Sequence, residues 1–163
     1  SIARIEAKKV NVRHSPVDLA FLLNSLQASH RNEIAARQQL LAIECAARCD
    51  IATDEAILQE VLDNLGSNAV KDTPRNGEIR IKVRPEGSRL RIDVCDNGYG
   101  IPQYQQEKIF TKFFRGDNIL QKNTDGNGLG LYLTFRLVGL LEGQISFVSE
   151  EGRGTTFTLL LPT

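Results

Sequence analysis

Apolar residues along this chain recur with two different periods, and the switches between them mark out the elements. Val17, Leu19, Ala20, Leu22, Leu23 and Leu26 form a helical stripe that runs out near His30. Ser15 and Pro16 before it read as an N-cap and first helical position. A second stripe, Ile57, Leu58, Val61, Leu62, Leu65 and Ala69, opens at Thr53-Asp54-Glu55-Ala56 and stops at Pro74, which cannot continue a helix. A third helix is expected over residues 128–141. Period-two alternation marks Glu78–Val83 and Leu90–Cys95, and Pro85-Glu86-Gly87-Ser88 between them predicts a hairpin. Strands are also expected at residues 8–13, 38–45 and 49–51, although 38–45 fits a helical pattern as well. Two more, 144–149 and 155–161, close the chain around Glu150-Glu151-Gly152-Arg153-Gly154. This order predicts an α/β two-layer sandwich: one mixed β-sheet covered on one face by about three helices. The polar, glycine-containing span 111–127 is long for a connection and reads as disorder or a working lid.

Composition narrows the classes of function. The 163 residues suit one domain with a real core, and 20 Lys+Arg balance 20 Asp+Glu, so no net charge draws the chain to nucleic acid or a lipid surface. No apolar run approaches the ~20 residues of a membrane span, and the N-terminus lacks a secretory pattern. The expected location is the cytoplasm, with a membrane anchor possible elsewhere in a longer protein. The absence of methionine suggests a segment of such a protein. Three cysteines at irregular spacing argue against a disulfide framework. With no ligand spacing at His14 or His30, Cys45, Cys49 and Cys95 read as small packing residues.

Candidate chemistry lies in four segments. Asn64, Asn68 and Lys71 are spaced i, i+4, i+7 and share one helix stripe, which either packs against a loop or faces a ligand. Asp96 ends an alternating strand just before Asn97-Gly98-Tyr99-Gly100. It is either a plain turn residue or an acceptor for an exocyclic amine, with the two glycines admitting a flat ring. Phe110, Phe113 and Phe114 read as loop anchors, with Lys112 and Arg115 as cations able to reach phosphate. Gly126-Asn127-Gly128-Leu129-Gly130-Leu131 opens a helix, where backbone N–H groups favour an anion.

In this order the four segments resemble the N, first glycine, F and second glycine boxes of sensor histidine kinase ATP-binding domains. These belong to the GHKL superfamily, and the resemblance covers roughly residues 50–162. It implies a Bergerat-type fold binding ATP and Mg2+. It makes Asn68 the magnesium ligand and gives Asn64, Lys71 and Arg115 catalytic roles at the phosphates, Asn64 standing where related ATPases carry a carboxylate. Asp96 would take the adenine amino group. Gly98, Gly100, Ile101 and Pro102 would surround the base, and Thr155 would reach it through water. Lys112 and Arg115 would reach the phosphate tail. Gly126, Gly128 and Gly130 would bring the helix N-terminus to it, while Leu129 and Leu131 anchor that helix.

The implied activity is Mg-dependent transfer of the γ-phosphoryl of ATP to a histidine on a separate helical hairpin absent from this chain, with a response regulator receiver domain downstream. Neither His14 nor His30 has the setting of the acceptor, so the domain should not phosphorylate itself. Residues 1–7 resemble the tail of the hairpin's second helix, leaving 8–163 as a single, monomeric catalytic domain that contacts neither nucleic acid nor membrane directly. The alternatives are a GHKL ATPase and a degenerate nucleotide-binding or docking module. Two departures stand out. Asp72 takes a place usually held by Tyr or Phe, and Gly66 that of a large apolar residue.

Overall fold

The computed structural model describes Ala3, Ile5 and residues 10–45, 50–111 and 130–163. The elements run β1 (Ser15–Asp18), α1 (Leu19–Ser29), α2 (Arg31–Ala36), β2 (Leu40–Cys45), β3 (Asp50–Thr53), α3 (Glu55–Asp72), β4 (Glu78–Glu86) and β5 (Arg89–Asp96). A 3-10 turn (Gln103–Lys108), α4 (Gly130–Leu140), β6 (Gln144–Glu150) and β7 (Gly154–Pro162) complete them. Five strands form one mixed sheet in the order β2-β4-β5-β7-β6, in which only β2 and β4 are parallel. The expected sandwich is what forms.

The sheet's inner face is set by alternation. Ile79, Ile81 and Val83 of β4, Leu90, Ile92 and Val94 of β5, and Phe157, Leu159 and Leu161 of β7 are all buried. Against them pack the stripes of α1 and α3, with Leu58, Val61, Leu62 and Leu65 almost inaccessible. Gly66 accounts for the close approach of those two helices: a Cβ there would lie 2.9 Å from Leu26 Cδ1. The glycine makes room for Leu26, so its cost in helix propensity, about 1 kcal/mol, is set against burial of a leucine.

The N-terminal expectations need correction. Residues 10–13 are not a strand, and 8–9 lie outside the described residues. The strand is Ser15–Asp18, which pairs antiparallel with β3 in a separate two-stranded sheet. Ser15 and Pro16 therefore do not open α1; Asp18 caps it, accepting from the Phe21 N–H at 3.3 Å. Proline's fixed φ and missing N–H suit a short edge strand as well as a first helical turn, so the local signal was ambiguous. Asp54 caps α3 through Ile57 N–H and also accepts from Arg13 N–H at 2.9 Å. Cys45 is disulfide-bonded, contrary to the reading of three packing thiols, while Cys95 is free.

Candidate nucleotide-binding site

The last turn of α3, the loop after β5 and the β6–β7 hairpin meet at one edge of the sheet. Gln39 holds the end of α3 in place, its side-chain amide donating to the carbonyls of Val70 (2.9 Å) and Thr73 (2.8 Å). Arg37 donates to Val70 and Lys71 carbonyls. These are carbonyls a helix C-terminus leaves without intrahelical partners. Tyr99 N–H then donates to the Asp72 carbonyl at 3.1 Å, tying the loop to the helix. A Cβ at position 98 would stand 2.2 Å from that same oxygen, so only glycine permits the contact.

The hairpin closes the other side. Gly100, at φ +70°, leaves no room for a side chain beside the Glu150 carbonyl, and Gly152 N–H donates to Tyr99 carbonyl at 2.7 Å. Ser149 Oγ is the hub. It accepts from Ile101 N–H at 2.8 Å, lies 2.8 Å from Thr155 Oγ1 and 3.1 Å from the Gly154 carbonyl. Gln106 adds bonds from its amide to the carbonyls of Ile101 and Ser149.

These contacts frame a cleft lined by Asn68, Asp72, Asp96, Tyr99, Gly100, Ile101, Leu131 and Thr155, over a floor of Leu65, Val94 and Phe157. The cleft encloses about 20 Å³, room for one water. Asp96 Oδ1 accepts from Gly98 N–H (2.9 Å) and Thr155 N–H (3.3 Å). Burial raises its carboxyl to about 6, against the lowering effect of those two bonds. Burial, then the neighbouring Asp96, pushes Asp72 up to about 7, opposed by Lys71 and Arg37. A larger groove of about 580 Å³ lies between α4 and β6, but its lining is mostly apolar, with Phe135, Val138, Leu140 and Ile145 among it. The polar groups converge on the narrow cleft instead.

Of the residues expected to act, Asn68, Asp96, Gly100, Ile101, Leu131 and Thr155 are brought together. Asn64 lies one turn before Asn68 on α3, and its Nδ2 is buried with no hydrogen-bond partner among the described residues. Lys71, half-buried, is on the last turn of α3, Gly98 supports Asp96 from the loop, and Gly130 begins α4. Lys112, Arg115, Gly126, Gly128 and Leu129 lie outside the described residues. Sequence reasoning passed over Tyr99, Gln106 and Ser149. Ser149 and Gln106 belong to no glycine or charge pattern, and only the strand register brings Ser149 opposite Thr155.

Residues 53–163 match the family model described as histidine kinase-, DNA gyrase B-, and HSP90-like ATPase. The chain belongs to that family. Among curated relatives, the circadian input-output histidine kinase CikA of Synechococcus elongatus is 37% identical over 99% of this chain and 22% of its own length. The aerobic respiration control sensor protein ArcB of Escherichia coli is 35% identical over 97% of the chain and 21% of its own length. The chain thus spans about a fifth of these relatives. Solved histidine kinases share the fold. Full-length ShkA in complex with AMPPNP superposes with a TM-score of 0.85 at 28% identity, covering 98% of this chain and 33% of that one. The catalytic domain of ThkA gives 0.78 at 25% identity, covering 91% and 95%. The donor set of the cleft fits a nucleotide ligand. Asn64 offers an unused buried N–H donor suited to a phosphate oxygen, and the two bonds to Asp96 Oδ1 leave Oδ2 for a ligand amine.

Proposed function

We infer that this domain binds ATP with magnesium in the cleft and delivers the γ-phosphoryl to a histidine on a separate helical hairpin. The observation that carries the reading is the convergence of Asn68, Asp96, Gly100, Ile101, Leu131 and Thr155, from four separate segments, on one cleft. Asp96 accepts from the adenine amino group, with Thr155 beside it. Asn68 offers its amide oxygen to magnesium, a hard cation that takes few protein ligands alongside waters and phosphates. Magnesium, when bound, neutralises charge on the phosphates. Asn64 donates to a phosphate oxygen, and Lys71 adds positive charge. Lys112, Arg115, Gly126, Gly128 and Leu129 are assigned to the phosphate end by resemblance alone. No side-chain base is required, because phosphoryl transfer depends mainly on positioning and charge stabilisation.

The partners follow from the same reading: the hairpin of the full-length protein, then a receiver domain of a response regulator. The TrrA complex of ThkA is one example of a kinase meeting a response regulator. Residues 1–7 are read as the end of the hairpin's second helix, in keeping with the helical backbone at Ala3 and Ile5 and the burial of Ile5. No described helix is long and apolar enough to cross a membrane, and the proposed site of action is the cytoplasm, with the domain monomeric. Asp72 in place of an aromatic residue favours one alternative, a docking module with a weakened pocket. Titration with Mg-ATP and Mg-GTP, then transfer in trans to a hairpin fragment, tests both. ATP-selective binding with transfer supports the kinase reading; selective binding without transfer favours the docking module, and no nucleotide binding rejects the proposal.

A further inference from the structure

Asp72 is a half-buried acid that the proposed chemistry leaves idle. Its backbone is fixed on both sides, by the Gln39 and Arg37 bonds to the end of α3 and by Tyr99 N–H on its own carbonyl. Among the described residues its side chain makes no hydrogen bond. It lines the same cleft as Asp96, over a floor of Leu65, Val94 and Phe157. The charged and titratable groups facing it are Asp96 from β5, Lys71 on its own helix and Arg37 from the turn after α2, with Tyr99 of the following loop also on the cleft. Of two carboxyl groups sharing a cleft with an apolar floor, the one without hydrogen-bond donors keeps its proton to higher pH. Asp96, with two N–H donors on Oδ1, ionises first, and Asp72 is the acid at pH 6–7, where the test is made.

We propose that Asp72 is a second base-reading residue, which donates a hydrogen bond from its neutral carboxyl group to a ring nitrogen flanking the amino group that Asp96 accepts. This rests on the ATP-binding reading above and sharpens its specificity. Adenine presents an acceptor nitrogen next to an amino donor on both its Watson–Crick and its major-groove edge, the complement of an acid beside a carboxylate. Guanine carries a carbonyl oxygen where adenine carries the amine, so Asp96 would face an acceptor. A phenylalanine at position 72 could only stack; the carboxyl group adds a hydrogen-bond donor to that wall.

The test compares ADP with 1-deaza-ADP and 7-deaza-ADP, which keep the amino group and each lack one ring nitrogen. Affinities are measured by calorimetry with magnesium for the unmodified domain, Asp72→Leu and Asp72→Asn, each checked for folding by thermal unfolding. The unmodified domain should bind one deaza analogue about tenfold more weakly than ADP, the value of roughly one hydrogen bond. In Asp72→Leu, which matches the side chain in size without a donor, that ratio should fall to near one. Asp72→Asn, whose amide still donates, should restore most of it. Equal binding of ADP and both analogues by the unmodified domain overturns the proposal, without needing either variant to fold. A tenfold preference that persists in Asp72→Leu also overturns it. Failure of the unmodified domain to bind ADP at all would instead reject the ATP reading, and this one with it.

Discussion

The two ends of the cleft are built differently. At the base end, Asp96 Oδ1, Gly98, Ile101, Ser149 and Thr155 are held by hydrogen bonds to one another before any ligand arrives, with Asp96 Oδ2 left for the ligand. On the α3 side, Asn64 Nδ2, one turn before Asn68, is buried with no hydrogen-bond partner among the described residues, and an unsatisfied buried polar group costs about 1–3 kcal/mol. The contrast teaches a division of labour. On the proposed reading, base recognition is pre-organised by β5, the loop and the β6–β7 hairpin, whereas the phosphate end awaits its ligand. Variants at the base end should therefore change affinity and selectivity. Variants on the Asn64–Asn68 stripe should change transfer with little effect on which base is chosen.

Asp96→Asn should give the largest effect. Oδ1 is claimed by two N–H groups, so an asparagine must keep its oxygen there and turn its NH2 toward the cleft. That places donor against donor at the adenine amine. ADP affinity should fall about 100-fold, the loss of a charge-assisted bond worth about 2–3 kcal/mol, measured by calorimetry with GDP alongside. Retained adenine preference in this variant would break the assignment of the base end.

Asn68→Asp sharpens the contrast from the other side. An oxygen donor remains, but a full negative charge is added beside the phosphates. Transfer to a hairpin fragment at saturating Mg-ATP should drop about 30-fold, about 2 kcal/mol of barrier. The ratio of ATP to GTP affinity should stay as it was. Undiminished transfer would remove Asn68 from the magnesium site.

Asp72 supplies a pH-dependent test of how apolar the base end is. Its folded-state value of about 7 lies above the unfolded carboxylate value of 3.8. A raised acid contributes stability that is fully present below about pH 4 and lost as pH rises through about 7. Asp72→Asn removes that loss. The variant should match the parent in urea unfolding near pH 3–4 and exceed it by on the order of 2 kcal/mol at pH 8. A constant difference across that range would mean that Asp72 is not buried beside Asp96.

Much of this could be read along the chain, and the exceptions have a common cause. The α3 stripe was legible because helical spacing alone puts Asn64, Asn68 and Lys71 in a row, and Asp96 because it ends an alternating strand at a glycine turn. Gly66 stood out as a departure, but its purpose depends on Leu26, forty positions earlier, meeting it across two helices. Ser15–Asp18 was misread because its partner β3 lies beyond two helices and another strand, and local preference could not choose between strand and helix. Ser149 and Gln106 were invisible for the same reason: their value comes from register and packing, not from neighbours in sequence.

Ser149→Ala tests that last class of residue and carries the smallest effect. Its hydroxyl partners Ile101 N–H and Thr155 Oγ1, so removal leaves the half-buried base end short of an acceptor while the chain path is unchanged. One neutral hydrogen bond is worth about 1 kcal/mol, or about fivefold in affinity. Because the loss falls on groups that position the base, the KM for ATP should rise by about that factor while the maximal transfer rate holds. Ser149→Thr keeps the hydroxyl and should recover most of the loss if its methyl is accommodated. A fall in the maximal rate with KM unchanged would place the effect at the phosphate end, and the two ends of the cleft would then be a single network.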